Sequence, residues 1–207
     1  MKKELQTIFL IFAVFLVPLE MRAATADELA AQISSFTGGG TGSLTAVASG
    51  NTVTVTGTLT DVTQTLDLNI DAGVTVDWNA TISTGAGFDV SQWQLILVSG
   101  SFNMLGGSIS VGDGVEAAIN AWNDNSAITV SGGNVSATTG RAINISNNSS
   151  LIVSGGTVSA YFNATIMVGD GSTVSVSGGT VTTIGGTAIN VSGATSQVMV
   201  SGTGIVS

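Results

Sequence analysis

The chain has 207 residues, with 13 acidic side chains against 4 basic ones, and it contains no His and no Cys. Beyond residue 26 it keeps eleven acids and a single Arg, a net charge of −10. This balance excludes nucleic-acid binding through phosphate neutralisation, disulfides and thiolate metal sites, His-based nucleophilic triads and HExxH zinc centres.

Three of the four basic residues, Lys2, Lys3 and Arg22, lie at the start. Residues 1–26 read as a secretory signal peptide: two Lys, then the apolar stretch Ile8 to Leu19, then Ala24-Thr25-Ala26 as an A-x-A cleavage site. Twelve apolar residues fall short of the roughly 20 that span a bilayer. The expected address is secreted or cell-surface, with no membrane insertion after cleavage, at Ala24 or at Ala26. A mean hydropathy of +0.51 argues against disorder.

Thr25 to Glu28 matches a capping box and predicts a helix starting at Ala26. Leu29, Ile33 and Phe36 then recur at helical spacing ahead of Gly38-Gly39-Gly40. Residues 27–44 are thus expected to form a short amphipathic helix and a Gly-rich linker that cap the repeat region beginning at residue 45.

From residue 45 to 207 the pattern is β. Asn51 to Asp61 alternates with Thr outward. Thr65 to Trp78 places Leu66, Leu68, Ile70, Val74 and Val76 on one face and Asp67, Asn69, Asp71, Thr75 and Asp77 on the other. Four later segments then align without gaps, starting at Ile128, Leu151, Val174 and Val198, which are 23, 23 and 24 residues apart. A weaker copy starts at Phe102. Their shared core is Ser-Gly-Gly-x-Val-Ser/Thr. A second element, Ala-Ile-Asn, recurs at 118–120, 142–144 and 188–190, with Ile166 in the matching place of the remaining interval.

Short alternating strands repeating every 23 residues predict coils of a parallel β-helix, stacked about 4.8 Å apart. The register predicts three inward ladders: Phe102, Ile128, Leu151, Val174, Val198; Met104, Val130, Val153, Val176, Val200; and Ile109, Val135, Val158, Val181, Ile205. The glycine pairs belong at corners. Ser131, Ser154, Ser177 and Ser201 are expected to bond there to one another or to backbone. About seven coils fit between residues 45 and 207.

The Ser-Gly-Gly units resemble the repeats of bacterial secreted and surface proteins with a pectate-lyase-like right-handed parallel β-helix, many of them adhesins. The resemblance implies an all-β, single-stranded right-handed solenoid. It is poor for function, because such folds include polysaccharide lyases, glycoside hydrolases and adhesin stalks.

Enzymes of that class use acids for Ca²⁺ with an Arg or Lys base, or an Asn-x-Asp, Asp-Asp and Gly-His-Gly set. Here Arg141 is the sole base and Asn69-Ile70-Asp71 lacks its companions. Asp67, Asp71 and Asp77, or Asp113, Glu116 and Asp124, offer oxygen ligands for Ca²⁺ without EF-hand spacing. A solvated acidic face is the simpler reading. Gly112-Asp-Gly114 imitates a phosphate loop outside any βαβ unit, so Val115 to Trp122 reads as a bulging loop of a longer coil. Trp78, Trp93, Trp122 and Tyr161 suit a sugar-stacking platform or corner packing, the latter favoured for Trp93 ahead of Gln94 to Val98. The Thr row 52–60 is not repeated coil after coil, with Asn134 and Gly204 breaking the rank of Thr157 and Thr180, which disfavours ice binding. No catalytic, cofactor or metal residue is assigned. The expectation is a non-catalytic structural or adhesive module presenting a rigid polar face to a glycan or a surface protein, with end-to-end self-association of coils. The alternative is a carbohydrate-active domain.

Overall fold

The computed structural model describes residues 24–123 and 125–207. The apolar stretch and positive residues of the leader lie outside the described residues, as does Asp124.

The N-terminal helix forms where the capping box places it. α1 spans Ala26–Ser35. Thr25 Oγ1 accepts from the Glu28 N–H, and the Thr25 N–H donates to Glu28 Oε2 at 3.0 Å. Ala26, Leu29, Ala30 and Ile33 are buried, so one face of α1 closes the end of the core. Just before the cap, the Ala24 N–H donates to Asn69 O at 2.9 Å, tying the entering chain to the first turn.

Two strands come next, β1 (Thr41–Ser49) and β2 (Thr52–Val62), paired antiparallel. The reversal at β1 is not written in the alternation, which is blind to strand direction. α1 covers the outer edge of β1: Ser34 Oγ accepts from the Ala46 N–H at 2.9 Å and lies 3.3 Å from Ala46 O. One hydroxyl thus stands in for the missing neighbour strand.

From β2 onward every pairing is parallel, and the chain winds as a β-solenoid of about 7 turns. The first turn is completed by β3 (Leu66–Asn69). The second holds β4 (Thr75–Trp78), β5 (Thr81–Thr84) and β6 (Gln94–Ser99). The third holds β7 (Ser101–Met104), β8 (Ser108–Val111) and β9 (Ala117–Ala121). The fourth holds β10 (Ala127–Val130), β11 (Asn134–Ala137) and β12 (Arg141–Ile145). The fifth and sixth each run as one long bent strand and one short one: β13 (Ser150–Ala160) with β14 (Ile166–Val168), and β15 (Thr173–Thr183) with β16 (Ile189–Val191). β17 (Gln197–Val200) and β18 (Ile205–Val206) lie in the last. β3, β6, β9, β12, β14 and β16 form one six-stranded sheet, and the other strands form a twelve-stranded sheet bent at each corner.

Inside, like stacks on like. Val53, Val76, Phe102, Ile128, Leu151 and Val174 pair in succession and are buried, extending the first expected ladder to the N-terminal turns; Val198 pairs with Val174 but is exposed, as is Val200 in the second ladder. Val55 and Trp78 extend the second in the same way. Leu66, Ile96, Ile119, Ile143, Ile166 and Ile189 form a ladder on the smaller sheet, through the Ala-Ile-Asn repeats. Burying each such side chain stabilises by about 1.5–3 kcal/mol.

The third ladder differs at its last rung. Val181 pairs with Val206, and Ile205 falls beside Thr180. The last corner reads Ser-Gly-Thr-Gly, and the Gly204 N–H donates to Ser201 O across it at 3.1 Å. This turn holds one residue more than the Ser-Gly-Gly corners, which moves the following strand by one position. Ile205 therefore replaces Gly204 in the rank of Thr157 and Thr180.

Both glycines of each corner lie against the preceding coil, and the second carries a further need. The second has a left-handed backbone, with φ of 70° at Gly133 and 67° at Gly156. The first sits on the preceding coil: a Cβ on Gly155 would lie 2.2 Å from Ser131 O. Of the corner serines, Ser131 donates to Met104 O at 3.4 Å. A different serine rank is buried at the opposite corner. The N–H of Ser126 donates to Ser149 Oγ and that of Ser149 to Ser172 Oγ, each at 3.2 Å.

Candidate functional site

Where the large sheet turns toward the small one, a groove of about 480 Å³ runs along the solenoid. Its floor is one outward rank, Ser83, Ser110, Ser136, Ser159 and Thr182, each side by side with the next. These side chains project from β5, β8, β11, β13 and β15 because Ile82, Ile109, Val135, Val158 and Val181 beside them face inward. All five are half-buried. Five coils at the strand spacing give a row about 19 Å long.

The wall is the corner rank just beyond. The N–H groups of Thr138, Tyr161 and Ile184 donate to Val111 O, Ala137 O and Ala160 O, which keeps the corner in register. Their side chains stand above a strip of buried small residues, Ala137 and Ala160. Tyr161 is 44% exposed, and its ring meets that of Phe162 edge-on at 4.4 Å. No charged side chain lines the groove. Tyr161 stands out in the sequence, whereas the hydroxyl rank does not. Serines at these positions are chemically the same as every other outward serine, and the concavity comes from the corner's path. A smaller hollow of about 320 Å³ lies over Ile152, Ser175 and Met199.

No protein-family model, curated protein or solved structure matches the chain. The kinship to bacterial surface proteins therefore stays a resemblance of the repeat motif.

The remaining candidates are scattered. Asp67 lies on β3 and Asp77 on β4, in different sheets. Asp77 accepts from Asn103 Nδ2 at 2.9 Å on the next coil, and Asp71 accepts from the Ala72 N–H at 2.8 Å. Among the described residues no three acids gather into a metal-holding group. Partial burial raises the Asp67 carboxyl above its ordinary range. Asp89 moves the other way, held down by the Ser91 hydroxyl and N–H and by Gln92.

Arg141 is ion-paired with Glu116 of the neighbouring coil. The sole candidate base named from the sequence is thus engaged in a contact between coils. In the imitation phosphate loop, the Gly112 N–H donates to Thr84 Oγ1 at 3.0 Å and the Gly114 N–H to Thr139 Oγ1 at 2.9 Å. Hydroxyls of adjacent coils fill the donors a phosphate would need. Ala117 to Ala121 is not a bulging loop. It is β9, buried along its whole length because it supplies the middle of the small sheet.

The aromatic platform is not assembled. Trp78 is fully buried, donating from Nε1 to Ala80 O at 2.9 Å and packing on Phe102 at 5.9 Å. Its alternation with Val76 already carried that signal. Trp93 does not pack at its corner: it is 55% exposed after a short 3-10 turn, Val90–Gln92. It precedes β6, whereas Trp122 follows β9, so the two lie toward opposite ends of the small sheet's strands.

Proposed function

We propose that the chain is an exported, non-catalytic structural or adhesive β-solenoid module of a bacterial surface or secreted protein, holding a rigid polar face toward glycan or protein partners. The observation that carries this reading is the uncharged hydroxyl rank, kept in register from Ser83 to Thr182 over five turns. Such a face costs nothing to hold rigid, because the backbone beneath it is hydrogen-bonded on both sides. A stack of like charges at this spacing would repel.

Export is supported by Lys2, Lys3 and the apolar stretch before Ala24. The non-catalytic reading is supported by the ion pair at Arg141 and by the dispersal of Asp67, Asp71 and Asp77. Stacking through terminal coils is part of the same proposal. Two measurements test the reading. Fractionation of the producing cell should place the protein outside the cytoplasm. Incubation with polysaccharides should release no product. Turnover that vanishes on substituting Asp67, Asp71 or Asp77 would overturn it in favour of a carbohydrate-active enzyme.

A further inference from the structure

We infer that the groove between the serine rank and Tyr161 is a binding site for a linear, uncharged polysaccharide lying along the solenoid axis. This rests on the reading of the protein as a presenting module, and it names the ligand class and the place.

Four features point there. The site is concave and preformed, with its floor fixed by parallel pairing on both sides of β8, β11 and β13. Each hydroxyl of the floor both donates and accepts, which matches a partner whose groups do the same. The hydroxyls repeat at one per coil, about 4.8 Å, close to the advance of one ring in an extended glycan. Toward one end Tyr161, whose ring is packed at a steep angle against Phe162 and is 44% exposed, supplies an aromatic surface for a sugar ring.

Two competing ligand classes fit worse. A polyuronate needs cations, yet the lining carries none and the chain beyond residue 26 has a net charge of −10. An extended peptide joins a sheet through open backbone groups, and the groove strands have both edges already paired.

The test uses the purified protein and three variants. Tyr161→Ala removes the aromatic wall. Ser136→Ile removes a central hydroxyl and raises the floor while keeping a good strand former. Thr129→Ile makes the same kind of change on β10, away from the groove. Each variant is checked for an unchanged melting profile, then titrated calorimetrically with neutral cello-, xylo- and gluco-oligosaccharides and with polygalacturonate. Binding to a neutral oligosaccharide is expected, weakened about tenfold or more by Tyr161→Ala and by Ser136→Ile and unchanged by Thr129→Ile. Neutral-glycan binding that ignores both groove variants overturns the site while leaving the module reading intact. Binding of polygalacturonate alone, or of no glycan, overturns the ligand class. Failure of the module reading shows separately, as product release or cytoplasmic retention.

Discussion

The Gly-Gly corners allow the solenoid's geometry to be tested one physical cause at a time. Gly50, in the turn joining β1 to β2, has φ of 58° and no atom within 4 Å of where a Cβ would stand. Gly50→Ala therefore reads the left-handed backbone alone, about 1 kcal/mol. Gly155 lacks positive φ, but its Cβ would meet Ser131 O at 2.2 Å. Backbone on the preceding coil has to retreat by about 1 Å, and overpacking of this kind costs about 1–3 kcal/mol. Gly156 combines φ of 67° with backbone of Gly132 and Gly133 at 2.7 Å from its Cβ. Gly156→Ala should cost about 3 kcal/mol or more, the two effects together. For a chain of this size that lowers Tm by roughly 6–12 °C. Urea midpoints and Tm should rank the variants Gly50→Ala mildest and Gly156→Ala most severe. If Gly155→Ala and Gly156→Ala cost no more than Gly50→Ala, close coil approach is not what requires these glycines.

Three further outcomes arise from named contacts. Ile143→Ala, at a fully buried rung between Ile119 and Ile166, should lose about 2–5 kcal/mol in urea unfolding, against within about 0.5 kcal/mol for the 44%-exposed Ile152→Ala. Thr25→Ala should lose about 1 kcal/mol through the missing helix cap, and a chain beginning at Asp27 should lose more, because the Ala24 bonds to the first turn and the buried Ala26 go with it. Asp67 has a raised carboxyl in the folded state, so the fold binds its proton more tightly than the unfolded chain does. Stability from this group is full below the ordinary carboxylate range and falls as pH rises through the raised value. Asp67→Asn should accordingly raise the urea midpoint at neutral pH, with the advantage vanishing in acid; a variant less stable at neutral pH refutes burial as the cause.

The solenoid was legible because its signals are redundant. Each inward position, such as Leu151 between Ile128 and Val174, repeats its neighbour's chemistry at a fixed interval. A single altered corner, Ser201 to Gly204, was enough to mislead by one residue at Ile205, since a gapless alignment cannot show an added turn residue. β1 was missed because Thr41 to Ser49 carries no repeat, and its direction depends on the hairpin at Gly50. The groove was illegible for another reason. Ser136 after Val135 and Ser154 after Val153 look alike in sequence, and only the path of the following corner makes Ser136 the floor of a hollow.

The antiparallel β1, sealed by Ser34, closes the N-terminal boundary, and beyond it the turns are built from equivalent stacked rungs. Each coil touches only the coil before and the coil after. Replication slippage that duplicates or deletes one whole 23-residue unit changes the rod's length without altering its cross-section. The hydroxyl row lengthens or shortens with it, one position per unit. In such a protein, copy number at the gene level sets the length of the rod and of the hydroxyl row it carries.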